Sequence, residues 1–316
     1  MYKELLAYPN VVGAGLGYKK TRGEYTGQSA LVVLVEKKLP SFSLTKQELI
    51  PKEYKRFTTD VIEVGKIVAL SPTDKHRPAP PGVSIGHYRI TAGTFGAVVQ
   101  EGGAKYILSN NHVLANSNDA EIGDPILQPG PYDGGTMDDQ IGTLYKFVPI
   151  IFGEGLPTCP FASGLSSVAN WIASKLGSSH RLNAVKISQE SNKVDCALAR
   201  PLNYDMITEE IYGLGAVTGV ASAKLGMPVI KSGRTSGITE GMVTILNATV
   251  SVDYGGKTAT FEDQIITDYM SEGGDSGSLL LEADTMKAVG LLYAGSDQVT
   301  IYNTIQNVLE TLDITF

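Results

Sequence analysis

Gly273-Gly274-Asp275-Ser276-Gly277-Ser278 sets one serine in the middle of a glycine-rich turn. A hydroxyl that acts as a nucleophile must stand exposed on a tight turn, beside backbone N–H groups aimed at a developing oxyanion. Glycines on both sides permit the unusual backbone and let a carbonyl group come close. The N–H groups of Gly274 and Ser276 are the natural pair for that oxyanion. A hairpin turn without chemistry has the same local composition, so the stretch needs partners elsewhere in the chain.

A serine alone is a weak nucleophile and needs a base. The chain has four histidines, His76, His87, His112 and His180. His76 lies in a proline-rich segment, and His87 and His180 lie among polar, turn-forming residues. His112 sits in Leu108-Ser109-Asn110-Asn111-His112-Val113-Leu114-Ala115, where an apolar strand runs into a turn and a short helical segment. That position presents a side chain at the end of a strand. The base in turn needs a carboxylate to orient it. Asn192-Lys193-Val194-Asp195-Cys196-Ala197-Leu198-Ala199 carries Asp195 in an apolar strand, where an acid must be hydrogen-bonded or it costs stability. A local backbone partner would also serve it. Together the three segments run in the order His, Asp, Ser, and no G-x-S-x-G elbow occurs at Ser276.

LSNNHVLA, NKVDCALA and GGDSGSLL resemble the three active-site blocks of chymotrypsin-like (trypsin-fold) serine peptidases. The nearer resemblance is to a bacterial branch that also looks like the plant narrow-leaf-type proteases. TAGTFGA at 91–97, KSGRTSGITEG at 231–241 and GLLYAGS at 290–296 add to it. The resemblance covers residues 85–316. It implies a catalytic triad of His112 as general base, Asp195 as its orienting acid and Ser276 as nucleophile, with Gly274 and Ser276 as oxyanion hole. It implies that Tyr293, Ala294 and Gly295 form an edge strand that pairs with substrate backbone, and that Met270, six residues before the serine, forms the floor of the specificity pocket. An uncharged floor predicts a preference for small or apolar residues over Lys or Arg at the cleavage position. The chain departs from secreted relatives in showing no activation site that would free an apolar terminus for Asp275, and it lacks the disulfides of the animal enzymes.

Composition bounds the rest. The 316 residues are 42% hydrophobic and 19% charged, with 35 glycines and 15 prolines, which suits a mainly β protein with many turns. The net charge is −7 and no Lys/Arg run exceeds a pair, which disfavours nucleic acid as a partner. No apolar run is long enough to span a membrane. There is no metal-ligand spacing, no Walker A loop and no G-x-G-x-x-G, so no cofactor is expected. Cys159 and Cys196 are the two cysteines and are expected as free thiols. The opening MYKELLAYPN has no secretory pattern, and a cytoplasmic location is expected.

The expected fold is mainly β, a chymotrypsin-like double β-barrel with a small N-terminal α/β domain. The small domain is expected over 1–75 and the peptidase domain over 76–316, with Ser71–Gly82 as linker. The first barrel is expected over about 83–205, the second over about 206–303, and a C-terminal helix over about 304–312. In the small domain Ser29–Glu36 reads as a strand buried on both faces and Leu44–Ile50 as a short helix capped by Thr45. An oligomer interface or a gate over the site are the roles open to it. Ser163–Leu176 reads as an amphipathic helix carrying Trp171. The expected activity is endopeptidase action on a protein or peptide substrate. The competing readings are a protease-fold binding or scaffold protein with little or no activity, and an esterase on the same triad.

Overall fold

In the computed structural model, which describes residues 3–21, 24–45, 48–65, 71–155, 186–187 and 191–316, the apolar run Ala30–Val35 becomes the inner half of a strand. That strand, β2 (Glu24–Val35), lies between β1 (Val11–Thr21), antiparallel to it, and β4 (Phe57–Glu63), parallel to it; β3 (Glu53–Tyr54) closes the sheet. Leu31, Val33 and Val35 are buried against Leu5 and Val11, while Val32 and Leu34 face the other side and are half-buried. The strand is therefore buried on one face, not both, because the side-chain period of two sends every second residue outward. Thr45 does cap a turn, with its N–H and hydroxyl both donating to the Glu48 carboxylate at 2.8 Å. No α-helix follows it among the described residues; the helical turns there are the 3-10 segments Lys3–Ala7 and Ser41–Ser43. The helix expected over Leu44–Ile50 is not shown, and residues 46–47 within it lie outside the described residues.

The chain divides into two units, Met1–Leu70 and Ser71–Phe316. The proline-rich stretch read as a linker belongs to the larger unit. Ala79 N–H donates to the Met206 carbonyl at 2.7 Å, Gly82 N–H to Phe95 at 2.7 Å, and Tyr212 N–H to Pro81 at 2.8 Å. Polarity and proline hid these backbone bonds, which are made with residues distant in sequence.

The larger unit holds two antiparallel β structures. The first is a seven-stranded sheet in the order β6-β5-β9-β10-β13-β8-β7. Its strands are β5 (Ser84–His87), β6 (Gly93–Thr94), β7 (Ala97–Glu101), β8 (Ala104–Ser109), β9 (Pro125–Leu127), β10 (Gln140–Phe147) and β13 (Ala197–Pro201). A separate backbone pair joins β11 (Glu154–Gly155) to β12 (Lys186–Ile187). The second structure is a closed barrel of six strands, β14 (Pro228–Gly233), β15 (Gly237–Asp253), β16 (Thr258–Asp268), β19 (Val299–Thr304), β18 (Ala288–Gly295) and β17 (Leu279–Glu282). Closure removes the exposed strand edges an open sheet would carry. Phe95, Ile107, Ile126 and Ile141 fill the first core, and Val229, Val243, Val289 and Tyr302 the second. Between them Leu108, Leu198, Leu281 and Leu291 pack with Val308 and Leu312 of the C-terminal helix, Ile305–Leu312. The region of Ser163–Leu176, with Trp171, and of Cys159 and His180 lies outside the described residues.

The hairpin β15–β16 has register shifts near Val243, Ile245 and Ala248, and Asn247 takes φ 52°. Such bulges bend a ribbon. Its tip is the turn Tyr254–Lys257, closed by Tyr254 N–H to Lys257 carbonyl at 2.8 Å.

Candidate active site

β8 ends at Ser109 and the short helix α1 (Asn111–Leu114) begins at once, so His112 stands at the end of a strand. Asp195 lies two residues before β13, the neighbour of β8 in the sheet. Strand pairing thus brings together two residues 83 positions apart: His112 Nδ1 is 2.6 Å from Asp195 Oδ2. The His112 backbone N–H also donates to Asp195 Oδ1, at 3.3 Å. The Asp195 side chain is fully buried, while that of His112 is 22% exposed. Asn303 fixes the Asp195 backbone, accepting its N–H at 3.0 Å and donating to its carbonyl at 3.1 Å. A third partner comes from the hairpin tip. Tyr254 Oη donates to Asp195 Oδ2 at 2.9 Å, and the Tyr254 ring meets the imidazole edge-on at 5.8 Å. Burial, and then the Asp195 charge, push the Tyr254 phenol far up, so it stays a protonated donor.

Another histidine also pairs with a carboxylate: His87 Nε2 lies 3.0 Å from Asp124 Oδ2. Its Nδ1, however, accepts from the Arg89 N–H at 3.2 Å, so both ring nitrogens are engaged. In His112 only Nδ1 has a protein partner among the described residues, which leaves Nε2 for chemistry.

Ser276 approaches from the second barrel. The Thr94 N–H donates to the Ser276 carbonyl at 2.7 Å. A Cβ on Gly93 would lie 2.4 Å from Val113, the neighbour of His112, and 3.0 Å from the Ser276 carbonyl, so glycine is what lets these backbones close up. The Ser276 hydroxyl makes no hydrogen bond among the described residues.

The loop before Ser276 is held by Asp275. Its Oδ1 accepts from the N–H groups of Thr235 (2.8 Å) and Ser236 (3.1 Å), and its Oδ2 from Glu272 N–H (3.0 Å), Lys231 Nζ (3.1 Å) and the Ser236 hydroxyl. Lys231 and Asp275 both have fully buried side chains. Burial alone would raise the Asp275 carboxyl. The Lys231 charge, Ser236 and the loop N–H groups outweigh burial and hold it below its ordinary value of 3.8. Burial pushes the Lys231 ammonium down, and Asp275 restores it only in part. An internal cation therefore pairs with Asp275.

The same loop orients two N–H groups. The Gly273 carbonyl accepts from Thr235 Oγ1 at 2.8 Å. The Asp275 carbonyl accepts from Ser278 Oγ at 2.6 Å and Ser278 N–H at 3.0 Å. In a planar trans peptide the N–H points opposite the carbonyl. The N–H groups of Gly274 and Ser276 are thereby aimed away from those partners, and neither has an acceptor among the described residues. Gly274 takes φ +100°, and a Cβ there would lie 2.5 Å from Thr235 Oγ1.

Beside Ser276 opens a cavity of about 480 Å³, lined by Tyr269, Ser271, Glu272, Gly273 and Leu292, then Ala294–Asp297. Two expectations change here. Met270 is not its floor. It is 2% exposed, its N–H donates to Thr300 Oγ1 at 3.0 Å, and its sulfur accepts from Tyr302 Oη at 3.4 Å inside the barrel core. Ser271 reaches the cavity instead. The Tyr293 side chain is not a lining residue either, because it packs on Phe261 at 4.7 Å. Ala294 and Gly295 do line the cavity, and among the described residues the stretch Tyr293–Gly295 of β18 pairs only with β19. Among the described residues no group of three His, Cys, Asp or Glu side chains could hold a metal ion.

No family model matches the chain. Over 153 residues it is 32% identical to streptogrisin-A of Streptomyces griseus, covering 46% of this chain and 48% of that protein. Over 80 residues it is 42% identical to serine protease 2 of Streptomyces fradiae, covering 25% of this chain and 43% of that protein. This chain is similar to bacterial serine peptidases of the chymotrypsin fold. The match spans less than half the length of either relative. A Nocardiopsis protease superposes with a TM-score of 0.49 at 17% identity, covering 75% of this chain and 98% of that one. The larger unit is mainly β, with a curled sheet and a closed barrel, as expected from the sequence.

Tyr254 and Lys231 were not singled out by the sequence. Lys231 left a signal, a lone lysine in the apolar strand Pro228-Val229-Ile230-Lys231, where a buried cation demands a partner. Tyr254 left none, since a tyrosine before Gly-Gly is ordinary turn composition.

Proposed function

We propose that the chain is a serine endopeptidase in which Ser276, His112 and Asp195 act as a triad. The observation that carries this reading is the 2.6 Å contact of His112 Nδ1 with a fully buried Asp195, on an imidazole whose Nε2 has no protein partner among the described residues. Asp195 fixes the tautomer with the proton on Nδ1, so Nε2 carries a lone pair. Ser276 Oγ attacks the scissile carbonyl as Nε2 takes its proton. The N–H groups of Gly274 and Ser276 receive the oxyanion, and each such donor contributes on the order of a hundredfold or more in turnover. The imidazolium then protonates the leaving amine. Water, deprotonated by the same Nε2, releases the acyl group and restores the serine.

A peptide is the substrate this site suits. The free side of Tyr293–Gly295 offers backbone groups to an extended chain, and the adjoining cavity takes one side chain. Because Met270 is withdrawn and Glu272 and Asp297 line the cavity, the case for excluding Lys and Arg lapses. Acidic side chains are the ones this cavity disfavours. The test is hydrolysis of a denatured protein substrate by wild type and Ser276→Ala. Wild-type cleavage with at least a thousandfold loss, on the order of what nucleophile removal brings, is expected. Equal cleavage by both proteins would remove Ser276 from the reaction.

A further inference from the structure

Asp195 Oδ2 is a crowded acceptor. It takes His112 Nδ1 at 2.6 Å and Tyr254 Oη at 2.9 Å, and Tyr254 is the one side-chain donor to this carboxylate besides the imidazole among the described residues. The tyrosine comes from the other β structure. The bent hairpin carries its tip across to the first sheet, and a phenol is long enough to complete the reach. One side chain thus makes two contacts, its hydroxyl on the carboxylate and its ring against the imidazole.

The tip is itself held. The Gly256 N–H donates to Asp253 Oδ1 at 2.7 Å, and the Gly153 N–H donates to the Thr258 carbonyl at 2.7 Å. Asn192, three residues before Asp195, donates from its side chain to Ile151 at 2.9 Å and to Thr260 at 3.0 Å. The ring is walled by Phe152 at 5.7 Å and Phe261 at 6.2 Å. Such support fixes a hydroxyl to within the tolerance a reacting group needs.

We propose that Tyr254 is a positioning residue for the His112–Asp195 pair, its hydroxyl holding Asp195 Oδ2 in line with the imidazole and competing with it for the carboxylate. The inference rests on the peptidase reading for its kinetic consequences, though not for the geometry. A donor to the carboxylate spreads its charge and weakens its pull on the imidazolium. Removing that donor makes the pair a tighter holder of protons. The titratable groups facing Asp195 are His112 from α1, Tyr254 from the hairpin tip, Tyr293 from β18 and the adjacent Cys196. Lys146 of β10 acts on Cys196, and Lys257 of the tip lies over the Phe152 ring at 5.4 Å.

The experiment is Tyr254→Phe in the full chain, which keeps the ring and deletes the hydroxyl. The midpoint of the His112 titration, followed by NMR of the imidazole, is expected to rise by roughly one pH unit relative to wild type. The low-pH limb of kcat/KM is expected to move with it, with kcat down about tenfold and KM unchanged. In the Asp195→Asn background the same substitution should leave the midpoint where it was, because the carboxylate is gone. A Tyr254→Phe midpoint within about 0.2 units of wild type, or an equal shift in the Asp195→Asn background, overturns the proposal. A wild-type protein that hydrolyses no peptide overturns the peptidase reading instead, and the imidazole midpoint still decides the role of Tyr254. Loss of the folded circular dichroism signal in Tyr254→Phe would show a structural role and overturn the proposal as well.

Discussion

Lys231→Met tests the loop that carries the candidate nucleophile. Both Lys231 and Asp275 are wholly buried, and the ammonium lies 3.1 Å from the carboxylate. Methionine fills similar volume, so the substitution removes charge with little cavity. It leaves a buried carboxylate without its cation, and breaking such a pair from one side costs about 3–5 kcal/mol. The remaining donors, Thr235, Ser236 and Glu272, soften this toward the lower figure. For a unit of this size each kcal/mol moves the melting temperature by about 2–4 °C, so a fall of about 10 °C is expected. Urea unfolding should give a lower midpoint at unchanged slope. The depressed carboxyl of Asp275 stabilises the fold above the ordinary carboxylate range, and that gain is lost as the pH falls through its folded value. In Lys231→Met, protonation relieves the unpaired charge, so the gap between variant and wild type should narrow below about pH 4. Turnover should fall more than stability at neutral pH, because the N–H groups of Gly274 and Ser276 are aimed by this loop. A variant that melts within about 2 °C of wild type and keeps full turnover would refute the assigned role of the pair.

Asp195→Asn should leave the melting temperature nearly unchanged and lower turnover by about four orders of magnitude, since the imidazole tautomer would be wrong; activity within tenfold of wild type would mean another group orients His112. Glu272→Gln with Asp297→Asn should raise cleavage after Glu about fivefold in a peptide-library profile, the scale of partly exposed charge pairs; an unchanged profile would mean that neither carboxylate meets the substrate side chain. Thiol reagent should leave native Cys196 untouched and titrate two thiols after denaturation without reductant; a count of zero would overturn the expectation of free thiols.

The site was legible where function concentrates residue types locally. The contact of His112 with Asp195 was legible, because a buried acid in apolar sequence and a histidine at a strand end both break the local pattern. Met270 and Tyr293 were misplaced because spacing fixes position along the chain and not the face a side chain takes after a turn. Met270 rotates into the core and Ser271 takes the cavity. Ser71–Gly82 was read as a linker because most of its hydrogen-bond partners, among them Met206, Tyr212 and Gln128, are far away in sequence. Tyr254 reaches Asp195 only through a hairpin bent by bulges, and long-range reach of that kind leaves no mark in local composition.

Labelling of Ser276 tests most directly whether it is a nucleophile activated by His112. A fluorophosphonate reacts covalently with such a serine and spares ordinary ones, and peptide mass spectrometry locates the adduct. One adduct per chain is expected, on Ser276, formed rapidly in the wild type and lost in His112→Ala. No adduct on the folded wild type, or an adduct on a different serine that survives His112→Ala, would contradict the account.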